Sequence, residues 1–162
     1  MNRFKTQRTS TRGFTLVELM IVVAIVGVLA AIGSVAYTKY VQSAKITRLK
    51  QYAMEVAKAQ EQYKSQNSGY FTPTVKYAEG NAQWENLLGF SKKGLTSDIT
   101  IQTVAGDSTA TTCGICDGVD PSFGSIWYAV RVRQDFKTGD GKATTVILNN
   151  ELPGPVVLNE GM

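Results

Sequence analysis

Residues 13–36 read GFTLVELMIVVAIVGVLAAIGSVA, and this stretch decides the architecture. It holds a single charge, Glu18, in a run otherwise made mostly of Leu, Met, Ile, Val, Ala and Gly. A helix needs about 20 apolar residues to cross a bilayer, and this run is long enough. A carboxylate inside such a helix costs roughly 2.5–3.5 kcal/mol on insertion scales, which makes Glu18 a candidate functional residue. Gly27, Ala30, Ala31 and Gly33 are small enough to let another helix approach closely.

On the N-terminal side lie Arg3, Lys5, Arg8 and Arg12, with no acid before Gly13. Cationic residues flanking an apolar helix hold that end on the cytoplasmic side. The 162-residue chain carries 17 basic and 13 acidic residues, and four of the basic ones precede Gly13, so 13 of each sign follow it. The net charge of +4 therefore belongs to residues 1–13, and the remainder gives no strong nucleic-acid signal. A secretory signal peptide places its small cleavage residue after an apolar core of about 7–15 residues. Here the run is longer and Gly13 precedes it, so a cut there would leave the helix on the product.

On the C-terminal side, Val41, Ala44, Leu49, Ala53, Val56, Gln60 and Tyr63 recur at helical steps, with Lys and Glu largely between them. No Pro occurs before Pro73. Residues 14–36 and the amphipathic 37–66 can thus join in one helix of roughly 50 residues, about 75 Å long, ended by Asn67-Ser68-Gly69. Beyond it, residues 84–90 read as a short helical turn closed by Gly89. Residues 99–104, 126–133 and 144–149 read as strands, 138–142 as a hairpin turn and 152–155 as a turn or loop. Three strands on short connections favour an antiparallel sheet. The expected fold is α+β: a long N-terminal α-helix with its C-terminal half packed on a small antiparallel β-sheet.

A basic leader, a Gly, a Phe and a Glu four residues further on, followed by the apolar run, resemble the type IV prepilin signature; the match runs through residues 13–32. The resemblance implies a ladle-shaped subunit: leader 1–13, membrane and assembly helix 14–36, amphipathic helix 37–66 and globular head 67–162. It implies that a membrane peptidase cuts between Gly13 and Phe14 and N-methylates the new amine. A carboxylate at the depth of Glu18 needs a partner, and the obvious cation there is that Phe14 amine. The resemblance places the contact between Glu18 of one subunit and Phe14 of another, with Thr15 beside Glu18 in the assembly region. The alternative is that Glu18 snorkels to the interface. Implied partners are further copies or other pilins, prepilin peptidase, an inner-membrane assembly platform and, before assembly, lipid. The implied location is the bacterial inner membrane and then an extracellular filament. No cofactor or enzymatic role is implied. A pseudopilin of a type II secretion system shares this N-terminal segment and stays an alternative. Many pilins carry a Pro about where Val35 stands here; Gly33 and Ser34 loosen a helix more weakly.

Cys113-Gly114-Ile115-Cys116 holds the two cysteines of the chain. An oxidising exterior favours a disulfide, although the family's usual bridge encloses a longer segment. A zinc site needs about four ligands, and with no His one chain supplies half of one. A membrane-anchored thiol oxidoreductase would want a strand–CxxC–helix context, whereas the flanking residues read as loop. Asp135 and Asp140 do not give the spacing of an EF-hand calcium loop. Without His no Ser/His/Asp arrangement is possible. Tyr37, Tyr40, Tyr52 and Tyr63 fall at helical spacings that suit packing better than stacked-ring electron transport.

Overall fold

The computed structural model describes residues 13–93, 95, 98–107, 109–110, 112–121, 125–136 and 143–158. The leader up to Arg12, the 138–142 turn with Asp140, and the side chain of Val35 lie outside the described residues. The chain divides into two compact units, Met1–Gln42 and Ser43–Met162.

Helix α1 covers Leu16–Gln66, 51 residues. Thr15 is its N-cap and Glu18 its third residue, the arrangement of a capping box. In the first unit, from Leu19 to Ile32, the helix is apolar all round, and among the described residues nothing covers it. Every large apolar side chain reported there, from Phe14 to Ile32, is between 50% and 79% exposed. The helix runs unbroken through residues 32–36, so Gly33 and Ser34 do not interrupt it. The Ser34 hydroxyl donates to Ala31 O at 3.0 Å, bonding back to its own turn.

In the second unit the same helix becomes one-sided. Leu49, Tyr52, Ala53, Val56, Ala57 and Gln60 are buried, at the steps of three and four that make one face. Lys64 sits in the last turn, where a cation suits the helix C-terminus. The Asn67 side-chain amide donates to Tyr63 O at 2.9 Å and closes the end.

Among the described residues four strands follow: β1 Ile99–Gly106, β2 Trp127–Asp135, β3 Ala143–Asn149 and β4 Val156–Leu158. They form an antiparallel sheet in sequence order. The sequence reading expects three strands and ends its last turn at Pro155; β4 is a correction. Three residues show no alternation to read, and Val157 joins only by pairing with Val146. One face of the sheet, with Ile99, Ile101, Tyr128, Val130, Val132, Val146 and Leu148, closes on the buried face of α1. On the other face Trp127 and Ala129 are covered by Ile115 and Cys116. Gly106 stands opposite Trp127. A Cβ on Gly106 would lie 2.5 Å from the buried indole, so this position admits only glycine without repacking.

The expected turn near residues 84–90 is present, with a bonding pattern wider than an α-turn. Gln83–Leu87 form a π-type turn in which Leu88 N donates to Gln83 O at 3.1 Å, and Gly89 follows at φ +69°. The turn seats Trp84, fully buried, edge-on to Tyr77 and Phe90 at 5.4 and 5.8 Å. The segment between α1 and this turn shields the free edge of β1. Tyr77 N donates to Ile101 O at 3.0 Å and Ala105 N to Thr72 Oγ1 at 2.7 Å.

Tyr70 and Tyr128 meet edge-on at 4.7 Å, and the Tyr70 hydroxyl donates to Glu61 Oε1 at 2.8 Å. Burial and then the Glu61 carboxylate push the Tyr128 hydroxyl up to about 12. Burial and its hydrogen bond to Glu61 raise Tyr70 as well. An unfolded tyrosine ionises near 10, so the fold favours the neutral phenols. That stability is whole below about pH 10 and is lost as pH rises through the folded values. Tyr70→Phe and Tyr128→Phe should each remove tyrosinate absorbance that develops well above pH 10. Loss of absorbance that develops near pH 10 in both variants would contradict this.

Candidate processing and assembly site

Gly13, Phe14 and Thr15 precede the helix in non-regular backbone. Phe14 is 79% exposed. A Cβ added to Gly13 would meet nothing within 4 Å, and its φ lies outside the left-handed region. The fold itself therefore makes no demand for glycine here.

Glu18 Oε2 accepts from Thr15 N at 3.0 Å and from Thr15 Oγ1 at 2.8 Å, while Glu18 N donates to Thr15 Oγ1 at 3.2 Å. Two backbone donors that the first helical turn leaves without partners are satisfied in this way. The box fixes the helix start at Leu16 and leaves the Gly13–Phe14 peptide outside it. Gly13, Phe14, Thr15 and Glu18 thus form one exposed cluster. The sequence reading singles out all four residues and misses the bonding between two of them. The signal was present, since Thr-x-x-Glu before an apolar run is the capping-box pattern.

Cys113 and Cys116 are joined by a disulfide, with Cα atoms 5.5 Å apart. Cys116 is fully buried against the outer face of the sheet. Asp117 follows at φ +45° and is held there by Arg131, whose Nη1 lies 3.3 Å from both carboxylate oxygens. Arg131 Nη2 donates to Gln102 at 2.6 Å. The bridge thus belongs to a pinned loop that covers Trp127. The two sulfurs and the Asp120 carboxylate lie within 4.8 Å of one another. Joined to each other, the sulfurs are not thiolates and do not offer the ligands zinc takes. The described residues 112–121 run as turns and irregular backbone, the loop that the sequence reading expects around the two cysteines. Of the four helix tyrosines, Tyr52 packs in the core and Tyr63 stacks near Phe71 at 5.2 Å, while Tyr37 and Tyr40 are 69% and 73% exposed.

A family profile described as the prokaryotic N-terminal methylation motif matches residues 8–34. The chain is 31% identical over 99 residues to a type IV major fimbrial protein of Dichelobacter nodosus, covering 61% of this chain and 54% of that one. It is 41% identical over 73 residues to a type IV major pilin of Neisseria gonorrhoeae, covering 45% and 40% of the two chains. It is 55% identical over 38 residues to a type IV major alpha-pilin of Moraxella bovis, covering 24% of each. The matched stretches thus span from about a quarter to about half the length of these relatives. No solved structure matches the chain. The match to the methylation motif includes the capped start of α1, and a helix packed on an antiparallel sheet follows it: the chain carries this motif and is similar, over part of its length, to type IV pilins and fimbrial proteins.

Proposed function

We propose that this chain is a structural subunit of a type IV pilus. It is inserted in the inner membrane by the first part of α1, cut between Gly13 and Phe14, methylated on the new Phe14 amine and polymerised into a surface filament. The observation that carries the reading is the exposed Gly13–Phe14 peptide immediately before a capped, apolar and uncovered helix. The described part of that helix is long and apolar enough to cross a membrane. In lipid its side chains face acyl chains. In a filament they face the same helix of other subunits and bury apolar area worth roughly 25 cal/mol per Å². One surface thus serves storage and assembly. The role is mechanical, in line with relatives named as pilins and fimbrial proteins.

Mass spectrometry of filaments sheared from the native cells tests this. The expected terminal peptide begins at Phe14 and carries one additional methyl group. Chains that begin at Met1, found in membranes and missing from sheared material, would overturn the proposal.

A further inference from the structure

We propose that Tyr37, Lys39 and Tyr40 form a collar that docks in the headgroup layer of a phospholipid bilayer and sets the depth of the helix, so that Glu18 emerges at the opposite headgroup layer. The inference rests on the membrane-inserted precursor of the preceding section. It is carried by three features of the first unit.

The chain is uncharged from Leu19 to Thr38, and Lys39 is the first cation after the apolar run. At that boundary two large amphipathic rings stand free, Tyr37 69% and Tyr40 73% exposed. Three residues apart, they share a helix face. Tyrosines of this kind concentrate at membrane–water interfaces, ring in the apolar layer and hydroxyl in water, and a neighbouring lysine extends its ammonium to the phosphates.

The third feature is length. Glu18 and Tyr37 are 19 residues apart in one unbroken helix, about 28 Å at ~1.5 Å per residue. The hydrocarbon layer is about 30 Å thick. With the tyrosine collar at one boundary, Glu18 therefore reaches the other. Centring residues 14–36 on the midplane instead would leave Glu18 about 10 Å from the centre, inside the hydrocarbon. The collar relieves that cost. At the boundary the carboxylate is hydrated and still accepts from Thr15. The midplane then falls near Val28.

The test uses the full-length chain in vesicles of phosphatidylcholine and phosphatidylglycerol. Val17→Trp, Val28→Trp and Tyr40→Trp are each read by quenching with lipids brominated at shallow or deep acyl positions, after subtracting the signal of Trp84 and Trp127 in the unaltered chain. Tyr40→Trp and Val17→Trp should be quenched more by shallow bromines, and Val28→Trp more by deep ones. Removing the collar by Tyr37→Ala, Lys39→Ala and Tyr40→Ala together should invert the ratio at Val17→Trp towards deep quenching. Deep-preferring or absent quenching at Tyr40→Trp, with Val28→Trp still quenched, would overturn the collar and leave the membrane anchor standing. A chain that does not float with the vesicles and shows no quenching at Val28→Trp would overturn the anchor, and the collar with it.

Discussion

Glu18→Ala should abolish or cripple filament assembly while precursor insertion and cleavage at Gly13 continue. In the single chain the substitution removes the acceptor of the Thr15 amide and hydroxyl. That loss is worth about 0.5–2 kcal/mol of helix start, too little to unseat a helix of this length. In a filament the consequence is larger. The Phe14 amine freed by cleavage would lie among apolar helices with no carboxylate to meet it. Removing one partner of a buried pair costs roughly 3–5 kcal/mol, equivalent to about two to three and a half orders of magnitude in subunit affinity. Glu18→Gln separates the two roles. The amide oxygen still accepts from Thr15, so the cap is largely kept, but it carries no charge to offset the amine. Filament yield from Glu18→Gln should therefore be as poor as from Glu18→Ala, whereas Thr15→Ala should only reduce it. Normal yield from Glu18→Ala would sink the ion-pair argument. Rescue by Glu18→Gln would show that the cap is what assembly requires.

Glu18 stands out in the sequence as a lone carboxylate in an apolar run, and its bonding to Thr15 went unread there. The long helix was legible: more than 50 residues pass without proline, and periodicity declares the buried face of the second half. Three strands were legible from alternation or β-branched runs. What escaped has physical causes as well. β4 is three residues that become a strand only because Val146 offers an edge. The width of the Gln83–Leu87 turn follows from seating Trp84 against Tyr77 and Phe90, which no local pattern encodes. The disulfide was legible as a pair. Its role in holding a loop over Trp127, with Asp117 pinned to Arg131, depends on residues brought together only by the fold. Gln60 was read as one more position on the helix face, and its chemistry went unread because its partners lie 11 and 43 residues away.

Gln60→Leu should destabilise the head by about 2–4 kcal/mol, despite adding a residue that belongs in a core. Gln60 is completely buried. Its amide nitrogen donates to Phe71 O at 2.6 Å and to Thr103 Oγ1 at 2.9 Å, and its oxygen accepts from Phe71 N at 2.9 Å. Thr103 in turn donates to Ala129 O at 3.0 Å. One side chain thus ties α1 to the segment that leaves it, to β1 and, through Thr103, to β2. Leucine fills the space and strands Phe71 N and O, and each buried group left without a partner costs about 1–3 kcal/mol. Gln60→Glu should be worse. It keeps an acceptor for Phe71 N, loses both donors and buries a charge facing a carbonyl. Thr103→Val should be milder, since the pairing of Gln60 with Phe71 survives it. Denaturant unfolding of the full-length chain in detergent, followed by near-ultraviolet dichroism of Trp84 and Trp127, measures all three. A change within about 0.5 kcal/mol for Gln60→Leu is the size of an ordinary surface substitution. It would mean that water takes over both Phe71 groups and that apolar packing alone holds the helix to the sheet. A loss of the expected size would make the glutamine the polar staple of the head. Double substitution with Thr103→Val should then cost less than the sum of the two, because both single changes break the same bond.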